Sequence, residues 1–325
     1  MTRGEKTTPN SKPTPRQHRG RVVNRRELSR QFVWIELEVQ GFAGAAPGQF
    51  VVVHCADESD YVAGRAWEDS GDWPRAKSAE LRNRVALVGR PFSIADMSEG
   101  ADGSRIALQF RVLGPGTSWL AEKSQVGAQL RLVGPLGNGF RLEGVGQAVL
   151  AAGGMGLAPM LFLARQLRGT GSRVVVLAGA KSREVLPLDI TEGALIDEEG
   201  EPSLCCEAFS ELDVKVGIAT DDGSAGRLGQ LSDSLADYLS RHRELCQTGS
   251  VVYTCGPEAM MNKVSQIAQV RQLPCEVCME RYMACGLGTC QSCVCRQRSE
   301  GSEDGWEYKL VCTDGPVFDG QSILW

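Results

Sequence analysis

The sequence predicts a multidomain protein: an antiparallel β-barrel, then a parallel α/β domain, then a small C-terminal cysteine-rich module. Three observations predict it. Short β-branched runs broken by turn residues fill the first part of the chain, apolar strands alternate with helical stretches from Gln147, and four of the twelve cysteines crowd into "ACGLGTCQSCVC" at 284–295.

In chain order, residues 1–20 are polar, basic and proline-containing, with no apolar period, and read as a disordered tail. Over 21–142, "FVWIELEV" (32–39), "GQFVVVHC" (48–55), "RIALQFRVL" (105–113) and "AQLRLVG" (128–134) are β-like, several alternating with polar residues, as in a small antiparallel barrel. A charged, Trp-containing stretch at 57–88 interrupts this pattern as an insertion or long loop. Over 143–272, "QAVLAAGGMGLAPMLFLARQL" reads as a buried strand, a glycine turn and a helix. Further apolar strands at 173–180, 213–220 and 250–256 alternate with helices, which indicates a parallel sheet covered on both faces. Residues 273–325 form the cysteine-rich module.

The composition is that of a soluble globular chain, with 42% hydrophobic and 23% charged residues. A formal net charge of −5 argues against a general nucleic-acid binder. No apolar run approaches the ~20 residues of a membrane span. The N-terminus lacks the apolar core of a secretory signal, so a cytoplasmic chain is expected. In that setting, twelve cysteines point to metal or redox chemistry rather than disulfides.

Three constellations carry chemistry. In "GRPFSIAD" (89–96) and "LGPGTSWLAEK" (113–123), the planar fork of Arg90 can pair with a pyrophosphate. Gly114 and Gly116 would let backbone approach an anion, and Thr117 would open a helix whose N-terminus favours phosphate. The bland alternative is an edge strand with a surface arginine. In "AAGGMGLAPM" (151–160) and "TCGPEAMM" (254–261), glycines follow the carboxyl ends of strands, where open α/β sheets bind ligands. Their spacing is not the usual dinucleotide fingerprint, and tight packing at a turn, with Cys255 as a small buried thiol, is the competing reading. Cys285, Cys290 and Cys293 give C-x4-C-x2-C, and Cys312 follows in "LVCTDGPVF". This is the plant-type spacing for a [2Fe–2S] cluster, whereas structural zinc normally uses paired C-x2-C knuckles or histidines. Cys295 falls outside that set, and Cys275 and Cys278 form a further C-x2-C, redox-active or incidental.

Taken in this order, the motifs "GRPFSI", "GPGT", "GPLGNGF", "GGMGLAP", "ATDDGSAG", "YTCGP" and "ERYMACGLGTCQSCVC" through "VCTDGPVFDG" resemble the electron-transfer subunits of type B, NAD-linked dihydroorotate dehydrogenase, within the ferredoxin reductase-like superfamily. The resemblance covers about 21–325. It implies an FAD-binding barrel, an NAD-binding α/β domain and a C-terminal [2Fe–2S] module. It implies that Arg90, Pro91, Phe92 and Ser93 hold FAD, with Gly114, Gly116 and Thr117 near its pyrophosphate. Gly153, Gly154 and Gly156 would border the NAD(H) nucleotide, with Cys255, Gly256 and Pro257 near its reactive ring. Cys285, Cys290, Cys293 and Cys312 would ligate the cluster.

The implied function is an oxidoreductase subunit that relays electrons from a partner's FMN through the cluster and FAD to NAD⁺. The partner is an FMN-containing catalytic subunit that oxidises dihydroorotate to orotate in pyrimidine biosynthesis, assembled as a heterotetramer. No acid–base residue for dihydroorotate is then expected in this chain. A reductase subunit serving a ferredoxin, a glutamate synthase-like or a sulfide-oxidising partner is the alternative. Arg183, near the second nucleotide strand, could meet the 2′-phosphate of NADP, and a solvated surface arginine is the competing reading.

Overall fold

A computed structural model describes residues 15–28, 31–56, 67–68, 75–76, 88–100, 103–245 and 249–325. Among the described residues eight strands precede residue 140: β1 (Arg16–Glu27), β2 (Phe32–Val39), β3 (Phe50–Val53), β4 (Trp67–Glu68), β5 (Arg75–Ala76), β6 (Arg90–Glu99), β7 (Ser104–Arg111) and β8 (Gln129–Leu136). Six of them close an antiparallel barrel in the order β1-β2-β7-β6-β3-β8. Val33, Ile35, Leu37 and Val39 alternate along β2 and face inward to meet Ile94, Ile106, Leu108 and Phe110. That two-residue period sends this set into the barrel, while Phe32 and Trp34 on the opposite face are buried too. Helix α1 (Pro115–Lys123) contributes the fully buried Leu120 to the same core.

The first strand starts earlier than the sequence suggests. Residues 16–20, assigned above to the tail, pair with β8 from Arg16↔Gly134 to Gly20↔Leu130. No apolar period marks them because the inward position is a glycine. A Cβ on Gly20 would crowd Leu132, Val39 and Leu37 at 3.1–3.3 Å. Residues 1–14 of the expected tail, and the insertion 57–88 apart from the β4–β5 pair and Val88, lie outside the described residues.

The second unit is built on a seven-stranded sheet. Six of its strands are β9 (Gln147–Gly153), β10 (Arg173–Ala180), β11 (Lys215–Thr220), β12 (Arg227–Leu228), β13 (Ser250–Cys255) and β14 (Cys275–Cys278). Beyond β14 the chain forms β15 (Val294–Arg298), β16 (Trp306–Leu310), β17 (Val317–Asp319) and β18 (Ile323–Leu324). The sheet order is β12-β11-β10-β9-β13-β14-β17, parallel except for the last strand. Helix α2 (Leu157–Gly169) and the short α3 (Glu207–Ser210) cover one face, where Leu150 and Ala152 of β9 pack on Leu157, Leu161 and Phe209. Helices α4 (Leu231–Arg241) and α5 (Glu258–Val270) cover the other, where Val149 and Ala151 meet Leu235, Leu239, Met261 and Val264. Burial on both faces explains why these strands read as continuous apolar runs.

The expected boundary at 272/273 does not divide the sheet. β14 extends it beside β13, and β17 returns antiparallel to close that edge. Residues between them form the cysteine loop and a second, three-stranded sheet, β16-β15-β18.

Barrel and sheet are fastened to each other. Phe162 of α2 enters the barrel core, and Arg165 donates to Asp96 of β6 at 2.8 Å. At the connection between the two units, the Tyr253 hydroxyl donates to the Arg141 carbonyl at 2.7 Å, and its ring meets Phe140 edge-on with centroids 5.4 Å apart. Tyr253→Phe keeps the ring and deletes this hydrogen bond, so thermal or denaturant unfolding should show a loss of about 1 kcal/mol. An unchanged midpoint would mean that the bond does not fasten the connection.

Candidate cofactor sites

Arg90 begins β6 opposite Val53 of β3. One guanidinium nitrogen donates to the Val88 carbonyl at 2.7 Å, which fixes the side chain and leaves other donors of the fork free. Strand alternation separates the four motif residues. Phe92 points into the barrel core against Phe110, with centroids 5.6 Å apart, so its side chain belongs to the core rather than to a ligand. Arg90, Pro91 and Ser93 remain half-buried.

Helix α1 starts two residues before the threonine expected to open it. Gly114 is the N-cap and Pro115 the first helical residue, the position proline favours because its missing N–H is not needed there. The Thr117 hydroxyl accepts from the N–H groups of Leu113 (2.9 Å) and Gly114 (3.2 Å). It thereby orders the turn, and the helix N-terminus still offers the Gly116 and Thr117 N–H groups to an anion. A Cβ on Gly114 would meet nothing within 4 Å, so the space over this turn is open, while Gly116 is buried.

The two glycine turns of the sheet come together. β9 ends at Gly153, a single 3₁₀ turn covers Gly154–Gly156, and α2 follows at once. A Cβ on Gly156 would lie 2.1 Å from the Cys255 carbonyl oxygen at the end of β13. One on Gly256 would lie 2.9 Å from the backbone of Gly153. Gly154, at φ +54, faces open space. The result is a bare backbone ledge across the carboxyl ends of β9 and β13, at the N-terminus of α2, with Pro257 exposed as N-cap of α5. A dinucleotide phosphate fits such a ledge.

Cys255 is buried, and the Cys278 thiol beside it, then burial, push its own thiol well above the usual range. Cys278 is its register partner on β14, whereas Cys275 lies on the opposite face of that strand. Cys275 and Cys278 therefore do not form a pair with each other.

Beyond β10 and β11 an open cleft of about 750 Å³ is lined by Ser182, Arg183, Asp222 and Ser224. Asp222 accepts from the Ser224 hydroxyl (2.6 Å) and N–H (2.9 Å), which lower its carboxyl below the usual range. The Ser224 oxygen accepts the Arg183 N–H at 2.8 Å. Sequence reading placed Arg183 here. It missed that Asp222 and Ser224 hold the turn, although "TDDGS" carries the side-chain-to-backbone signal.

The cysteine loop runs from 285 to 293. Gly286 (φ +72) and Gly288 (φ +84) take left-handed turns that non-glycine residues rarely adopt. The Cys285 sulfur accepts N–H groups from Leu287 (3.3 Å) and Cys290 (3.4 Å). Such hydrogen bonds stabilise a thiolate and tune a cluster. Cys293 and Cys312 are buried, Cys285 is half-buried and Cys290 exposed.

Among the described residues no group of three or more His, Cys, Asp or Glu side chains is gathered for a single metal ion. Cys290 donates its N–H to the Cys285 sulfur, and the Cys293 thiol lies beside that of Cys312. Two dithiolate pairs suit a two-iron unit with two thiolates per iron better than one tetrahedral ion. Burial pushes the Cys312 thiol up to about 12, a cost that coordination reverses because a metal-bound thiol is deprotonated. Cys295 points into the module core, outside the set.

Residues 280–324 match the family model described as the iron–sulfur cluster binding domain of dihydroorotate dehydrogenase B. The chain is 32% identical over 282 residues to the electron transfer subunit of dihydroorotate dehydrogenase B (NAD⁺) of Desulforamulus reducens, covering 86% of this chain and 87% of that one. It is 27% identical to the subunit of the same name from Caldanaerobacter subterraneus, covering 94% and 98%. Among solved structures, the NADH-dependent reduced ferredoxin–NADP oxidoreductase superposes with a TM-score of 0.67 at 23% identity, over 94% of this chain and 90% of that one. The ferredoxin reductase of carbazole 1,9a-dioxygenase follows at 0.56 and 20%, over 80% and 67%. These last two likenesses concern the fold.

Proposed function

The chain belongs to the family of electron-transfer subunits of NAD-linked dihydroorotate dehydrogenase B, and from that premise we propose how its own residues serve the transfer of electrons between a partner's FMN and NAD through a [2Fe–2S] cluster and FAD. A flavin exchanges electrons singly or in pairs, which couples a one-electron cluster to a two-electron nicotinamide. Arg90 and the α1 N-terminus bind the FAD pyrophosphate, and Pro91 and Ser93 line its strand. The Gly153–Gly156 turn and Gly256 admit the nicotinamide dinucleotide, and Cys255 supplies a neutral, desolvated thiol beside it. Cys285, Cys290, Cys293 and Cys312 hold the cluster.

One observation carries this reading. The cluster loop and the flavin strand share β3. A Cβ on Gly286 would lie 2.8 Å from Val52, and Arg90 pairs with the next residue, Val53. Only one barrel strand separates the two sites, a short path for single electrons.

Partner oxidation of dihydroorotate to orotate then needs no acid or base from this chain. The same reading assigns a heterotetramer with the catalytic subunit. It also assigns a cytoplasmic setting, where the eleven described cysteines, all free, stay reduced. No described helix is long and apolar enough to cross a membrane.

Co-purification with the family's catalytic subunit tests the assignment. The complex should reduce NAD⁺ with dihydroorotate, and this chain should carry two irons and two sulfides per FAD. A chain that carries those cofactors but passes electrons only to a ferredoxin would overturn the partner assignment. Arg90→Ala should weaken FAD retention by roughly tenfold or more, the loss of one charge-assisted contact, with iron content unchanged. Full flavin occupancy in that variant would remove Arg90 from the site.

A further inference from the structure

Between β10 and β11 lie two adjacent cysteines, Cys205 and Cys206, that none of the sites above uses. Their sulfurs stand 3.6 Å apart. Each residue is 1% exposed, and the Cys205 sulfur also faces the Val216 carbonyl at 3.5 Å. The backbone around them is pinned. Thr191 donates its N–H to the Cys205 carbonyl at 2.9 Å, and Ser210 donates to the Cys206 carbonyl at 2.8 Å. Cys206 borders a cavity of about 80 Å³ between Arg26, Trp34 and Gln109 of the barrel and Leu157 and Leu161 of α2. The cavity brings space for a small solute up to the Cys206 side of the dithiol.

We propose that Cys205 and Cys206 form a reversible modification site, oxidised by hydroperoxides to a vicinal disulfide and restored by thiols. The two sulfurs need to approach by about 1.5 Å to reach bonding distance, within the range of side-chain rotation. Their contact also divides the work. The hydrogen bond with Cys206 lowers the Cys205 thiol, and the same contact, with burial, raises Cys206. One sulfur is the nucleophile and the other keeps its proton, as in redox dithiols.

With hydrogen peroxide as the oxidant, the Cys205 thiolate attacks one oxygen and the O–O bond breaks. Cys205 sulfenic acid and hydroxide result, and the hydroxide takes up the proton released when the thiolate formed, giving one water. The Cys206 sulfur then attacks the sulfenic sulfur. The S–S bond forms, the S–O bond breaks, and the oxygen leaves with the Cys206 proton as the second water. Two thiols lose two electrons, and one peroxide becomes two waters.

Reversibility follows from geometry. Adjacent Cα atoms sit about 3.8 Å apart, closer than the ~4.4 Å lower limit of relaxed disulfides. The bond is therefore strained, and strained disulfides are the easily reduced ones. Forming it twists the peptide between the two residues, which turns the Cys205 carbonyl away from the Thr191 N–H.

The test uses the holoprotein, treated anaerobically with hydrogen peroxide, alkylated and mapped by mass spectrometry. The peptide holding Cys205 and Cys206 should lose two hydrogens and regain them with dithiothreitol. Amide exchange at Thr191 should accelerate several-fold in the oxidised form. In Cys206→Ser, dimedone should trap Cys205 as the sulfenic acid. Neither mass readout depends on the iron–sulfur or flavin sites. Recovery of both thiols as alkylated cysteines, or a disulfide joining either of them to another cysteine such as Cys255 or Cys278, overturns the proposal.

Discussion

Cys290→Ala should empty the chain of iron and acid-labile sulfide while its barrel and sheet stay folded. Cys290 is exposed and absent from the core clusters, its sulfur touching the Ser292 hydroxyl at 3.2 Å, so no packing is lost with it. One iron of the proposed pair loses a protein ligand. Dihydroorotate-dependent NAD⁺ reduction in the reconstituted complex should fall by more than about 100-fold, beyond the 10- to 100-fold that changes outside a ligand set produce. NADH should still reduce the bound flavin, because neither Arg90 nor the glycine ledge touches Cys290. Cys295→Ala provides the contrast. It should keep the cluster and cost about 1 kcal/mol of stability, since Cys295 is 5% exposed within the module core. Iron content, visible absorption and the two rates measured side by side decide the matter. Full turnover in Cys290→Ala would remove the loop from the relay.

Gly156→Ala should be the most damaging single methyl in the nucleotide domain. The residue has φ −61, so no backbone strain forbids alanine there. The obstacle is space: the new methyl would lie 2.1 Å from the oxygen and 2.3 Å from the carbon of the Cys255 carbonyl. Backbone on both sides cannot swing away as a side chain would. Separating β9 from β13 at this point should cost about 3 kcal/mol, the upper part of the range for overpacking. It should also lower the rate of flavin reduction by NADH, because the ledge itself opens. Gly154→Ala is the control, with φ +54 but nothing within 4 Å. Its cost should be the local strain of about 1–2 kcal/mol. Equal unfolding midpoints for the two variants would show that the two turns do not interlock.

What could be read in the sequence was local. The cluster cysteines were legible because their spacing fits within one loop, and Gly286 and Gly288 announce the turns that loop needs. The α/β strands were legible because two covered faces demand continuous apolar runs. The early start of β1 was hidden because Gly20 and polar outward residues give no alternation. Pro115 already marked the true first turn of α1, but the glycine–threonine pattern drew attention to Thr117. The pairing of β14 with β17 was not legible at all. Strands of four and three residues, separated by the whole cluster loop, meet only in three dimensions.

The splicing of those two strands into the nucleotide sheet has a consequence for portability. The match to the iron–sulfur domain begins at residue 280, just after β14. A chain cut at that point, or at 272, cannot be exchanged like a plug-in cassette. Cutting at 272 strips the neighbour from β13, whose six residues are all buried in the intact protein. The bare edge would offer unpaired N–H and C=O groups to other molecules, a template for aggregation. Shortened forms should therefore be insoluble rather than merely cluster-free. Chimeras with other reductases would have to take their junction on the barrel side of β9, moving sheet and cluster as one inheritance unit.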